Sequence, residues 1–102
     1  MRMLMTVSIP TEVANEHVRN GTLGSTMSKI LGEAKPECVY FGTLGTGERS
    51  GMIVVDLNDA SDIVKFAEPW FLTFGASVNF EPVMTPADLE AAAPHFERLA
   101  KS

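Results

Sequence analysis

Residues 37–57 read ECVYFGTLGTGERSGMIVVDL, and this stretch decides the fold. Its two ends, residues 37–44 and 49–57, are rich in β-branched and aromatic side chains, which favour strands. The connector between them, residues 45–48 (GTGE), is short and carries two glycines, which suit the tight turns of β-hairpins. The stretch therefore predicts an antiparallel hairpin in the middle of the chain.

The segment before the hairpin predicts one strand and a broken helix. Residues 2–9 (RMLMTVSI) have the apolar, alternating pattern of a strand, which Pro10 ends. Residues 11–34 carry apolar side chains at helical spacing in two groups, and Asn20-Gly21 lies between the groups. Because this dipeptide favours a turn, we expect two helical pieces rather than one straight helix.

The segment after the hairpin predicts a helix, a fourth strand and a C-terminal helix. An apolar stripe over residues 63–74 has helical spacing, and Pro69 within it predicts a kink or a restart just before that proline. Residues 76–83 alternate as a strand does. Residues 85–88 (TPAD) match the capping-box pattern with proline at the first helical position, so they begin the C-terminal helix.

The predicted order of elements is βαββαβ followed by a helix, which is the ferredoxin-like arrangement of the α+β class. Right-handed crossovers then place both connecting helices on one face of a four-stranded antiparallel sheet with the spatial order 4-1-3-2. One such domain is expected to span residues 1–102, because a single core is typical of chains of about 100 to 150 residues.

The composition of the chain argues against several classes of partner and site. The 8 Lys and Arg against 13 Asp and Glu give a net charge of -5, so neither nucleic acid nor an anionic membrane is an expected partner. No apolar run approaches the about 20 residues that a membrane helix needs. The single cysteine, Cys38, indicates a reducing compartment, and we expect the cytoplasm. No motif or ligand spacing predicts a metal or a cofactor.

The second face of the predicted sheet is the strongest indication of function. Apolar side chains occur on both faces of the strands, most clearly at residues 38–41 and 52–55, so the face without helices needs a cover. No unassigned segment remains to cover it, and we expect a homodimer whose sheets pack face to face. Polar side chains in the strands would line its interior and leave room for a small apolar or aromatic ligand. The alternative is a dry sheet with a solvated outer face.

Several runs of the sequence resemble a known family. Residues 68–72 (EPWFL) and 77–89 (SVNFEPVMTPADL), with residues 35–37 (KPE) and 40–41 (YF), are similar to a small group of uncharacterised bacterial proteins in the dimeric α+β barrel superfamily. The resemblance implies ferredoxin-like subunits that pair through their sheets. The superfamily includes cofactor-independent monooxygenases, isomerases, haem-degrading enzymes and proteins without a known activity, so the fold alone does not choose a function.

Two classes of function are consistent with these features. The first is a homodimer that binds a small apolar or aromatic ligand without transforming it. The alternative is a cofactor-independent monooxygenase or isomerase that acts on a small aromatic or enolisable substrate. Some monooxygenases of the superfamily hold a phenolic substrate with an asparagine, a tryptophan and an arginine, and Asn79, Trp70 and Arg49 are the residues of those types here. Their spacing matches no such pattern, which favours the binding protein.

Six residues with polar or aromatic side chains are the candidates for ligand binding: Tyr40, Asn79, Trp70, Glu68, Arg49 and His17. We expect Tyr40 and Asn79 to face one cavity that has Trp70 or Phe71 as an apolar wall. Arg49 or His17 is expected near the mouth of this cavity.

Glu68 and His17 each have a chemical and a structural interpretation. Glu68 precedes Pro69 in an apolar helix, where a half-buried carboxylate suits a general base; the alternative is a carboxylate that faces solvent. His17 is the one histidine that would fit the axial position of a haem-degrading relative. Its alternative is a surface or capping histidine at the end of a helix.

Overall fold

The computed structural model describes residues Met1–Ser102 and confirms the ferredoxin-like α+β fold. The elements in chain order are β1 (Arg2–Ile9), α1 (Thr11–Arg19), α2 (Leu23–Ala34), β2 (Cys38–Gly42), β3 (Arg49–Asp56), α3 (Asp62–Phe74), β4 (Ser77–Pro82), α4 (Pro86–Ala91) and α5 (Ala93–Ala100). The predicted hairpin, the helix break at Asn20-Gly21 and the fourth strand are confirmed, with ends that agree within two residues.

The four strands form one antiparallel sheet in the predicted order, β2-β3-β1-β4. The central strand β1 places Met5 opposite Ile53 of β3 and opposite Phe80 of β4. Because side chains alternate along a strand, the odd-numbered residues of β1 point to one face and the even-numbered residues to the other. The odd-numbered side is buried, and we call it the helix face; the even-numbered side is half-buried, and we call it the open face.

The helices α1, α2 and α3 lie on the helix face and form the core with it. The largest side chains that this core buries completely are Trp70, Phe74, Met5, Ile53 and Val55. The two N-terminal helices add Ala14 and Ile30 to the same cluster. Burial of each large apolar side chain contributes about 1.5 to 3 kcal/mol, so this face supplies most of the stability of the domain.

The helix α3 runs unbroken from Asp62 to Phe74 with Pro69 inside it. Of the two predicted effects of this proline, a kink or a restart, the restart does not occur. Phe66 and Trp70 are both buried against the sheet, one on each side of Pro69. Tertiary packing of this kind outweighs the local cost of a missing backbone hydrogen bond, since most helical stability in proteins comes from the buried face.

The C-terminal helix is also different, because two short helices replace the one helix predicted. Pro94 is in the first turn of α5, where its missing N–H costs nothing, and the chain turns at Ala92. The capping box at the start of α4 is confirmed. Asp88 N donates to Thr85 Oγ1 at 3.1 Å, and Thr85 N donates to the Asp88 carboxylate at 2.9 Å. The hydrogen bond from the Thr85 backbone holds the pKa of Asp88 below its usual value.

Residues 86–100, which we call the C-terminal arm, project from the body of the domain. Neither α4 nor α5 buries a side chain. The radius of gyration is 16.9 Å and the longest extent is 61 Å. A compact chain of this length has a radius of gyration of about 13 Å, so the arm does not fold back onto its own core.

Candidate functional site

A large cleft lies on the helix face, between α2 and the hairpin end of the sheet. Its volume of about 610 Å³ is within the range of about 300 to 1,000 Å³ that small-molecule sites occupy. We call it the α2 cleft. Its apolar lining consists of Val7, Ile9, Leu23, Met27, Leu31, Phe41 and Trp70. A single chain therefore forms an apolar cleft by itself.

One wall of the α2 cleft follows from the sequence of α2 itself. Leu23, Met27 and Leu31 recur every four residues, so they lie one above the other along one side of the helix. All three are half-buried and pack against the core. Each therefore contacts the core with one part of its side chain and leaves another part facing the cleft.

The opposite wall of the α2 cleft is formed in part by an aromatic ring that lies beside a glycine. Phe41 of β2 pairs with Gly51 of β3 on the helix face. A Cβ atom at Gly51 would lie 3.5 Å from the Phe41 ring, which is ordinary van der Waals contact, so the glycine leaves open the space beside the ring that a larger side chain would fill. Gly51 is thus the one sequence signal of this cleft, whose α2 wall and Phe41 were not among the predicted site residues.

Two of the predicted site residues, Trp70 and Arg49, line the α2 cleft. Trp70 is only 1% exposed, so the indole is a core side chain that presents one edge to the cleft. Arg49 begins β3 and is exposed. Its Nη1 donates to Oδ1 of Asn15 on α1 at 2.8 Å, and this hydrogen bond holds the guanidinium at the rim.

Tyr40 and Asn79 lie on the open face and share one row across the sheet. The pairing places Tyr40 opposite Met52, Met52 opposite Thr6, and Thr6 opposite Asn79. The two outer residues are therefore three strand spacings apart, or about 14 Å. Tyr40 is 64% exposed, and its hydroxyl forms no hydrogen bond within the chain. At one end of this row, Leu44 and Thr46 of the hairpin loop lie beside Thr6 and Asn79.

A cluster of hydroxyl groups occupies the hairpin end of the open face. Oγ of the buried Ser50 lies 3.3 Å from Oγ of Ser8 and 3.1 Å from Oγ1 of Thr46, and Ser8 also donates to Glu48 at 3.2 Å. Beside the cluster, Asn79 lines a polar cleft of only about 120 Å³. This volume is below the range of about 300 to 1,000 Å³ that small-molecule sites occupy. The cluster instead fixes the hairpin loop against the sheet.

The sheet therefore divides the predicted site into two parts. Trp70 and Arg49 belong to the helix face, whereas Tyr40 and Asn79 belong to the open face. The prediction that Trp70 forms a wall of the Tyr40 and Asn79 cavity is wrong, because residues on opposite faces of a sheet are separated by its backbone. For the same reason Asn79 does not join Trp70 and Arg49 in an arrangement that could hold one phenolic substrate.

The remaining candidates, His17 and Glu68, lie outside both clefts. Nδ1 of His17 is 3.0 Å from Oγ1 of Thr22, and its ring packs edge-on against Phe74 with centroids 4.8 Å apart. These contacts connect α1 to α3 and to the turn before α2. Glu68 is half-buried on α3 and makes no side-chain hydrogen bond or ion pair.

Comparison with known proteins adds a family but not an activity. None of the curated proteins matches the chain. No helix has the length and apolar character that crossing a membrane requires. The family described as "Domain of unknown function (DUF3303)" matches residues 1–96. Because that match covers nearly all of the chain, including the α2 cleft and both sheet faces, this protein belongs to the DUF3303 family.

Proposed function

We propose that this protein binds a small apolar or aromatic molecule in the α2 cleft and does so as a homodimer. The observation that carries the proposal is the cleft itself, with its volume of about 610 Å³ and its largely apolar lining. A pocket with an apolar body and a few polar groups at its edge is the usual form of a small-ligand site. A binding protein is favoured over an oxygenase or isomerase because the residues that would hold a phenolic substrate lie on opposite faces of the sheet.

The chemistry of the lining indicates what kind of ligand fits. Met27 is flexible and adapts to the shape of a ligand, whereas Phe41 and Trp70 offer aromatic surface. Each square ångström of apolar surface that leaves water contributes about 25 cal/mol, so a flat ring system gains most here. The cleft opens to solvent beside the exposed Phe41, which gives such a ligand a route of entry.

The open face supports the homodimer. Leu4, Met52 and Val54 are only half-buried on this face, and Tyr40 beside them is exposed. The helices α1, α2 and α3 pack on the helix face, and α4 and α5 bury no side chain. Two sheets that pack face to face lie about 10 Å apart, so a second copy would cover this apolar surface completely. We place this protein in the cytoplasm, where the free thiol of Cys38 stays reduced.

Replacing Ser28 with phenylalanine is expected to block the α2 cleft without disturbing the core. Ser28 lies on the exposed side of α2 and lines the cleft, so the new ring would occupy the space of the ligand. N-phenyl-1-naphthylamine, an uncharged aromatic dye that fluoresces in apolar surroundings, serves as the probe. We expect the variant to bind this dye at least about tenfold more weakly, a change of about 1.4 kcal/mol.

The matched control is Ser25→Phe. Ser25 is on the same helix but lines the groove between α2 and α3 instead, so its replacement leaves the α2 cleft open. Thermal melts of all three proteins check that each remains folded. Equal dye affinity in the Ser28→Phe variant and the parent protein would show that the dye binds elsewhere and would contradict the proposed site.

A further inference from the structure

Arg49 is the only charged residue among those that line the α2 cleft. We infer that the ligand carries one anionic group, such as a carboxylate, and that Arg49 binds this group; the inference rests on the proposed function. An apolar ligand body would lie along α2 and its anionic group would lie at the rim. The ligand class is therefore a small aromatic or aliphatic monoanion.

The surroundings of Arg49 leave its guanidinium available. The three ion pairs of the protein join Met1 to Asp56, and Arg2 to Glu37 and Asp88, so Arg49 has no carboxylate partner within 4 Å. Its one side-chain hydrogen bond runs from Nη1 to Asn15, which is a neutral acceptor. A guanidinium has five N–H donors, so the others remain free for two parallel hydrogen bonds to a carboxylate.

The net charge of the whole protein makes the positive charge of Arg49 at the α2 cleft distinctive. The protein has a net charge of -5, whereas the α2 cleft has Arg49 and no acidic residue in its lining. A cation at the edge of an apolar pocket interacts more strongly with an anion than it would in open water, because the local dielectric constant is lower. Arg49 is thus the residue of the α2 cleft that attracts an anionic group.

A pair of dyes distinguishes the contribution of the anionic group to the binding affinity from the contribution of the apolar ring system. The dye 8-anilinonaphthalene-1-sulfonate has the same ring system as N-phenyl-1-naphthylamine but carries one sulfonate. We expect Arg49→Gln to weaken binding of the sulfonate dye by about tenfold or more, because charged hydrogen bonds are the strong ones. Binding of the uncharged dye is expected to change less than about twofold. Arg49→Lys is expected to retain only part of the affinity for the sulfonate dye, because an ammonium group keeps the charge but cannot donate two parallel hydrogen bonds.

The matched control is Arg98→Gln, which removes an exposed positive charge from the C-terminal arm and is expected to leave both affinities unchanged. If Arg49→Gln weakens both dyes equally, or neither, Arg49 does not bind the anionic group and the inference is overturned. Failure of the proposed function would give a different result, because Ser28→Phe would then leave the affinity for the uncharged dye unchanged.

The C-terminal arm carries a second inference from a different observation. Phe96 and Leu99 lie three residues apart on α5, on one side of that helix, and Leu89 lies on α4; all three members of this apolar stripe are exposed. The helix α5 has 8 residues, whereas an isolated helix shorter than about 12 residues is marginal in water. We propose that this apolar stripe packs on the body of a second copy of the chain.

The place where the C-terminal arm leaves the body of the domain indicates that a second copy of the chain is its partner. Nη1 of Arg2 lies 3.7 Å from the Asp88 carboxylate, and Arg2 has the strand parity of the open face. The arm therefore starts at the end of the open face, and a copy packed against that face is the body within its reach. The inference rests on the proposed homodimer.

The test of the arm uses the full chain carrying both Phe96→Ser and Leu99→Ser, with Glu97→Ser on the same helix as its control. Sedimentation is expected to show a dimer at least about tenfold weaker for the double variant only. Isotope-filtered NMR of mixed labelled and unlabelled protein is expected to show contacts between the Leu99 methyl groups and the other chain. If the double variant dimerises with unchanged affinity, only the proposal about the arm is overturned. If the parent protein and all its variants are monomeric, the proposed homodimer is overturned as well.

Discussion

Trp70→Ala is expected to lower the free energy of unfolding by about 3 to 5 kcal/mol, the range for a fully buried large aromatic side chain. The indole is 1% exposed and stacks on Phe74 with ring centroids 5.9 Å apart, so its removal loses burial and leaves a cavity. Part of that cavity would join the α2 cleft. Because Trp70 is the only tryptophan, urea unfolding must be followed by circular dichroism rather than by intrinsic fluorescence.

The control for this variant is Leu72→Ala on the same helix. Leu72 is 82% exposed, so its truncation is expected to change stability by less than about 0.5 kcal/mol. A loss below about 1 kcal/mol for Trp70→Ala would be incompatible with an indole in the core. The position would then belong to an open pocket rather than to the packed face of α3.

Val54→Asp is expected to separate the homodimer into folded monomers. Val54 pairs with Leu4 and Cys38 on the open face, whereas its neighbour Val55 points into the core. In the single chain Val54 is half-buried, so an aspartate there keeps some contact with water. Inside a sheet-to-sheet interface the same charge would be buried without a partner, which costs about 3 to 5 kcal/mol and weakens association by a factor of about a hundred or more.

Light scattering at several protein concentrations measures this effect. The matched control is Val64→Asp, which places the same charge on an exposed position of α3 and is expected to leave the dimer intact. If Val54→Asp associates as strongly as the parent protein, the open face is not the interface. Circular dichroism of the variant separates loss of association from loss of folding.

Much of the fold was predictable because its signals are local in the sequence. The alternation in β1, the glycine-bearing connector of the hairpin and the capping box at Thr85 each act within a few residues, and the structure confirms all three. Pro69 shows the limit of such local signals. Its local effect is unfavourable for a helix, yet α3 continues through it, because Phe66 and Trp70 on either side are packed in the core.

The candidate site was less predictable because it depends on which face of the sheet each side chain occupies. Trp70 and Tyr40 both appeared as ligand-binding aromatics, but the helix α3 directs one to the helix face and strand parity directs the other to the open face. The α2 cleft exists because α2 stands away from the hairpin end of the sheet. That separation is a property of tertiary packing, and within the sequence only Gly51 gives a sign of it.

Mapping the bound sulfonate dye by NMR tests the central claim most directly. Titration of isotope-labelled protein with 8-anilinonaphthalene-1-sulfonate is expected to shift the backbone amide signals of Met27, Phe41 and Gly51, which lie around the α2 cleft. The signals of Thr6 and Asn79, on the open face, are expected to stay unchanged. Shifts confined to the open face, with none along α2, would contradict the account.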